Sequence, residues 1–253
     1  MTDSARPWPQ LVAHRGFPCR YPENTPVGMR AAIAAGAKHV EFDVQMTADR
    51  RLLVLHDDNL QRTAAVPQSV FELPLAQLQQ ISAHEPARFG EQFYPEYLAS
   101  LEQMLAMLSA HPHVTAWVEA KQESIERFGL QTYMDAILQA LQSHQQDCVL
   151  ISFSEQAIAY AQQHSDLPTG WVLEKYDSRR QKQAASLQPG FLICNQRKVM
   201  HSETLWPGDW RWMLYGVESP ALVAASAERG AALVETDCIG ELMAALQAQG
   251  VSI

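Results

Sequence analysis

The stretch "HVEFDVQMTADRRLLVLHD", residues 39–57, alternates apolar Val40, Phe42 and Val44 with Glu41 and Asp43. In a β-strand, residues two apart point to the same side, so both carboxylates share one face. At the rim of an open sheet that face would sit in water. In a parallel barrel one face meets helices and the other the packed interior, where two carboxylates need partners. The apolar run LLVL (52–55) follows after only Ala48-Asp49-Arg50-Arg51, whereas a parallel crossover needs roughly a dozen residues or more. It therefore returns as the antiparallel arm of a hairpin with Asp49-Arg50 at the tip. That register sets Asp43 opposite His56 and Glu41 opposite Asp58.

Outward from the hairpin, short β-rich runs alternate with longer segments of helical period, the pattern of repeated βα units on a parallel sheet. The runs are LVAHRG (11–16), HVEFDV (39–44), VTAWVEA (114–120), CVLISF (148–153), TGWVLE (169–174), FLICN (191–195), WRWMLYGV (210–217) and AALVET (231–236). Between them the spacing predicts helices over 26–35, 124–144, 154–164, 178–187, 220–229 and 240–249. Ser124 and Ser154 stand at N-cap positions, and Gly36, Gly230 and Gly250 where helices stop. A single turn near 202–205 joins FLICN to WRWMLYGV. Residues 58–98 are too many for one βα loop. They form an insertion over the barrel mouth with a short helix in FELPLAQLQQI (71–81), and a helix over 99–110 then restores the rhythm. The expected architecture is α/β, a (β/α)8 TIM barrel with a β-hairpin extension after strand 2, in one domain over 1–253.

The chain is 47% apolar and 19% charged with a net charge of -9, which suits a globular protein and leaves no basic footprint for nucleic acid. No apolar h-region opens it and no run nears about 18 apolar residues, so neither a signal peptide nor membrane insertion is expected. Cys19, Cys148, Cys194 and Cys238 form no CxxC pair. Buried free thiols in a reducing compartment are expected, which points to the cytoplasm.

A barrel gathers its reactive groups at the C-terminal ends of its strands. There this chain carries His14 and Arg15, Glu41 and Asp43, Glu119 and Lys121, and Thr236 and Asp237, with His56 added by the hairpin. Glu41, Asp43 and Glu119 offer hard oxygen ligands, suited to Mg²⁺ or Ca²⁺ rather than zinc. His14 and His56 titrate near neutrality and make the natural acid–base pair. Arg15, as a planar fork, and Lys121, as a point charge, can hold phosphate oxygens or serve as ion-pair partners. Tyr215, near its strand's end, lines the site or packs in the core. His39, His84, His111, His113, His144, His164 and His201 fall in loops or at segment ends, where solvated or capping roles account for them. WPGDWRW (206–212) reads as packing and turn.

HRG (14–16), PENT (22–25), EFDV (41–44), Thr47 and Asp49 of QMTADR, HD (56–57), RT (62–63), EAK (119–121), SF (152–153) and TD (236–237) recur in an order that resembles the glycerophosphodiester phosphodiesterase family, in its short bacterial cytosolic form. The resemblance covers nearly the whole chain and is most specific in its first third. It implies a (β/α)8 barrel with a small insertion and one divalent cation, Mg²⁺ or Ca²⁺, on Glu41, Asp43 and Glu119. It also implies catalytic His14 and His56, and phosphate contacts from Arg15 and Lys121. PENT becomes the first loop of the site, with Glu23 and Asn24 bracing it and Thr25 capping the next helix. The implied reaction hydrolyses a small glycerophosphodiester, such as glycerophosphocholine or glycerophosphoethanolamine, to sn-glycerol 3-phosphate and an alcohol.

Two positions depart from the family's pattern: Glu218 stands where Asn is usual, and Arg50 where the hairpin tip often has Gly. The first bears on substrate preference. Alternatives on this fold are a phospholipase acting on phospholipid or lysophospholipid, a carboxylate-pair glycosidase and a non-catalytic binding barrel. The lack of a membrane-surface helix weighs against the first. The co-ligand spacing of Glu41 and Asp43 weighs against the second, and the retained histidines against the third.

Overall fold

Eight of the apolar runs pair side by side and close into a parallel barrel in the computed structural model, which describes residues 7–142 and 148–251. The barrel strands are β1 (Gln10–Ala13), β2 (His39–Met46), β4 (Thr115–Ala120), β5 (Cys148–Ser152), β6 (Thr169–Leu173), β7 (Phe191–Asn195), β8 (Arg211–Tyr215) and β9 (Leu233–Thr236). β1 closes the ring, parallel to β2 on one side and to β9 on the other. Both faces of each strand are covered, so apolar residues dominate both, except where the inward rows of β2, β4 and β9 carry Glu41, Asp43, Glu119 and Glu235. Inward-facing Val12, Trp117, Val149, Val172, Ile193 and Met213 belong to one cluster that fills the barrel. Outward-facing Phe42, Val118, Leu150 and Val234 pack in a larger cluster with helix residues such as Met29, Ile137 and Ile158.

The helices form where their caps are. α1 (Pro26–Ala34) opens on Pro26 after Thr25, whose hydroxyl accepts from the Gly28 N–H. Ser154, Asp177 and Ser219 cap α8 (Glu155–His164), α9 (Ser178–Leu187) and α10 (Pro220–Arg229) in the same way. α11 (Ile239–Ala248) follows β9. The single helix expected over 124–144 is two, α6 (Gln122–Phe128) and α7 (Leu130–Leu141), parted by Gly129 at φ 85°. Ser124 is accordingly no cap. Buried within α6, its hydroxyl accepts from the Met46 N–H at 2.9 Å and donates to Gln45 at 2.5 Å. His144 and the end of that expected helix lie outside the described residues. The turn expected near 202–205 forms earlier, as a 3₁₀ turn over Gln196–Val199, because Asn195 caps it by accepting from the Arg197 N–H.

The hairpin exists, but its register is one residue from the expected one. β3 (Leu52–Val54) pairs Val44 with Val54 and Met46 with Leu52. The loop holds three residues, not two: Thr47 N–H donates to the Arg51 carbonyl, and Arg50 takes a left-handed φ of 59°. Asp43 therefore faces Leu55, whose N–H it accepts at 3.0 Å, and not His56. His56 still reaches the barrel mouth because β3 stops at Val54 and the chain bends over 56–58.

The insertion builds a small core of its own from Leu53, Leu55, Leu60, Val70, Leu78 and Leu98. It carries α2 (Gln61–Ala64), α3 (Leu75–Leu78) and α4 (Pro86–Phe89). α5 (Leu101–Leu108), held by a Ser100–Gln103 capping box, ends it and leads into β4. The expectation of four free thiols fails for two of them. Cys19 and Cys238, 219 residues apart, are joined by a disulfide, while Cys148 and Cys194 are free and buried. Among the described residues no helix is long and apolar enough to cross a membrane.

Candidate active site

The site grows from strand ends. His14, Arg15 and Gly16 make the exit from β1, and Gly16 sits at φ 90°, where a Cβ would meet the Gly28 carbonyl carbon at 2.9 Å. Only glycine lets this exit press against α1. Arg15 is itself left-handed at φ 49°, at a cost of about 1–2 kcal/mol. Its backbone N–H donates to Glu41 Oε2 at 3.0 Å, which aims the main chain at the carboxylates.

β2 and β4 pair with Asp43 beside Glu119, and Glu41 shares the inward row two residues earlier. Glu41, Asp43 and Glu119 each offer an oxygen within 4.8 Å of the others, and all three are buried. The donor set is entirely carboxylate oxygen and fits a hard divalent cation. Asn24, left-handed at φ 55°, braces Asp43 twice: its amide donates to Oδ2 at 2.9 Å and its carbonyl accepts the Asp43 N–H at 3.1 Å. Lys121 Nζ bridges Asp43 at 3.2 Å and Glu119 at 2.9 Å. Arg15 donates to Glu23 at 2.9 Å, and its Nε lies 3.2 Å from Asp43 without hydrogen-bond alignment.

The two histidines are oriented alike. His14 Nδ1 lies 2.6 Å from Asp237, and His56 Nδ1 lies 2.6 Å from Asp57. Each ring thus spends Nδ1 on a neighbouring carboxylate and keeps Nε2 for other partners; that of His14 is 4.0 Å from Glu41. Burial alone would lower the His14 pKa, but Glu235, Asp237 and Glu41 outweigh it and raise it to about 10. Burial drives Glu41 well above the usual carboxylate range, helped by Asp43 and Glu235. Asp43 goes the other way: against burial, Lys121 and Arg15 hold it below that range.

A cavity of about 230 Å³ opens among these groups. His14, Arg15, Glu41, His56, Glu119 and Lys121 line it from the β1–β4 side, and apolar side chains with Tyr215 and Glu235 line it from β5–β9. A second cavity at the opposite end of the barrel holds Lys38 and His39 but no carboxylate.

The structure adds residues that the sequence reading did not assign. Arg62 of α2 donates to both oxygens of Glu23 at 2.6 and 2.8 Å and to Asp57 at 2.8 Å, so the insertion braces the site. Glu218 accepts from the Thr236 hydroxyl at 2.8 Å and from the Asp237 N–H at 3.1 Å, fixing the end of β9. Glu235 is a further buried carboxylate that lines the cavity. Its signal was present in AALVET, where it alternates with inward-facing Leu233.

The profile of the glycerophosphoryl diester phosphodiesterase family matches residues 14–234. Over 119 residues the chain is 34% identical to a glycerophosphodiester phosphodiesterase of Bacillus altitudinis, covering 47% of each protein. Over 98 residues it is 33% identical to one of Caldanaerobacter subterraneus, covering 39% of this chain and 40% of the relative. These matches therefore span about half or less of the relatives' length. In fold, the chain is similar to a phosphodiesterase of Oleispira antarctica solved in complex with the product sn-glycerol-3-phosphate. The TM-score is 0.82 at 22% identity, over 95% of this chain and 97% of that one. A glycerophosphodiester phosphodiesterase of Agrobacterium tumefaciens gives a TM-score of 0.73 at 20% identity, over 93% and 99%.

Proposed function

The chain belongs to the glycerophosphoryl diester phosphodiesterase family, and from that premise we propose that it hydrolyses small glycerophosphodiesters to sn-glycerol 3-phosphate and an alcohol. One observation carries the reading. Two histidines, each held at Nδ1 by a carboxylate 2.6 Å away, line one cavity with Glu41 and Glu119 of the buried acidic trio. Glu41, Asp43 and Glu119 would hold a divalent cation, Mg²⁺ or Ca²⁺, which supplies Lewis acidity at the phosphate. Arg15 and Lys121 would then turn toward phosphate oxygens and stabilise charge on them. One of His14 and His56 donates a proton to the departing alkoxide, and the other accepts one from the attacking hydroxyl. Tyr215 lines the substrate's path. The enzyme is read as cytoplasmic; the free thiols Cys148 and Cys194 support that reading, and the Cys19–Cys238 disulfide counts against it.

The test is hydrolysis of glycerophosphocholine and glycerophosphoethanolamine with coupled detection of glycerol 3-phosphate, before and after EDTA and cation add-back. Activity is expected to vanish on chelation and return with Mg²⁺ or Ca²⁺. His14→Ala and His56→Ala are each expected to lower kcat about 10²–10⁴-fold. Activity indifferent to chelation, or kept in either variant, would sink the mechanism.

A further inference from the structure

The cavity holds one charged group that the mechanism leaves unused. Glu235 on β9 stands level with Val12 and Tyr215 on the neighbouring strands β1 and β8, in the inward row with Leu233. It is 5% exposed and its Oε1 is buried without a hydrogen-bond partner among the described residues, yet it lines the cavity. The other acids there are provided for: Glu41 accepts from the Arg15 N–H, Asp43 from Asn24 and Lys121, and Glu119 from Lys121. A buried carboxylate oxygen left without a donor bears its full desolvation penalty. A folded chain keeps such a group where a ligand brings the donor.

Two other employments fail on geometry. The cluster of carboxylate oxygens within 4.8 Å of one another is Glu41, Asp43 and Glu119 and does not include Glu235. Nor does Glu235 hold His14, whose Nδ1 is taken by Asp237 and whose Nε2 lies nearest Glu41. Of the surrounding wall, Ile151, Val172 and Ile193 carry no donor, and the Tyr215 hydroxyl on the neighbouring strand makes no hydrogen bond to Glu235 Oε1. Glu235 also stands level with Val12, two residues before His14 on β1, so the part of a substrate that reaches it is the end inserted first. The alcohols of glycerophosphodiesters vary in size, whereas the glyceryl group is small, constant and rich in hydroxyl donors.

Resting on the hydrolytic reading above, we propose that Glu235 is a specificity residue whose carboxylate accepts a hydrogen bond from a hydroxyl of the substrate's glyceryl group. Binding tests this without turnover: calorimetric Kd values of sn-glycerol 3-phosphate, n-propyl phosphate and phosphoethanolamine on the cation-loaded protein. The wild type is expected to favour glycerol 3-phosphate over propyl phosphate by about 10- to 100-fold, the worth of one hydrogen bond to a charged group. Glu235→Leu should bind the two within about threefold of each other. Glu235→Gln keeps an acceptor oxygen and should fall between, which also covers a poorly folding leucine variant. A wild type without preference, or a preference intact in Glu235→Leu, overturns the proposal. So does a loss in Glu235→Leu confined to phosphoethanolamine, since that would assign the carboxylate to an ammonium. The two readings fail separately: a wild type that releases no glycerol 3-phosphate from its diesters sinks the hydrolytic one, whatever the Kd ratios.

Discussion

Glu23 takes hydrogen bonds from Arg15 on one loop and Arg62 on another, and its own N–H donates to Glu85. Burial would raise its pKa, but Arg62 and Arg15 overcome that and hold it lowered. A carboxylate lowered in the folded state stabilises the fold above its ordinary range, and that contribution is lost as pH falls through the folded value. Glu23→Gln should therefore cost about 1.5–3 kcal/mol in urea unfolding at pH 7. The gap from wild type should narrow as both proteins are taken into the acid range; a gap independent of pH would mean that packing, not charge, is what Glu23 supplies. Glu23 and Asn24 were both legible in PENT as a brace, but their partners were not. Arg62 and Glu85 come from the insertion, and no local pattern ties them to residue 23.

At the scale of elements, two of the left-handed glycines, Gly16 and Gly129, differ in kind. Gly129 parts α6 from α7 at φ 85° and ψ 144°, with open space where a Cβ would stand, so Gly129→Ala should cost only the backbone penalty, about 1–3 kcal/mol. Gly16 carries the same penalty, and its Cβ would also meet main-chain atoms of Gly28 at 2.9 Å, which cannot swing aside. Gly16→Ala should cost about 1–3 kcal/mol more than Gly129→Ala in thermal melts, and it should lower activity because His14 and Arg15 share that turn. Equal losses would show that the first loop yields more readily than its contacts imply. Helix starts at Thr25 and Ser154 fell where expected, since a cap acts over three residues, whereas Ser124, expected as a cap, lies inside α6. The hairpin register also departed from expectation. Spacing alone does not separate a two-residue tip from a three-residue loop, and the choice fell to Thr47, which bonds Asp49 at 2.5 Å and Arg51 across the loop.

At the scale of the molecule, barrel closure sets the first and last loops side by side. Cys19 on one and Cys238 on the other are bonded there, next to the Asp237 that holds His14. Denatured without reductant, the protein should show two titratable thiols, and four after reduction. Opening a cross-link over so long a loop should cost about 2–4 kcal/mol, a fall of roughly 5–15 °C in Tm for a chain of this size. Four thiols at the outset, or an unchanged Tm on reduction, would count against the cross-link in solution.

What the sequence determined by itself is what local periodicity controls: eight strand runs, the common face of Glu41 and Asp43, and the strand-end setting of His14, Arg15, Glu119 and Lys121. Alternation by two and caps over three residues act within a few positions, so they are written in the chain order. The tertiary structure alone decided what depends on closure. It joined Cys19 to Cys238, oriented His14 on Asp237, tied Arg62 of the insertion to Glu23, and left Glu235 buried without a donor at the cavity's inner wall. Each of these pairs distant positions through the shape of the closed ring, and sequence spacing carries no trace of it.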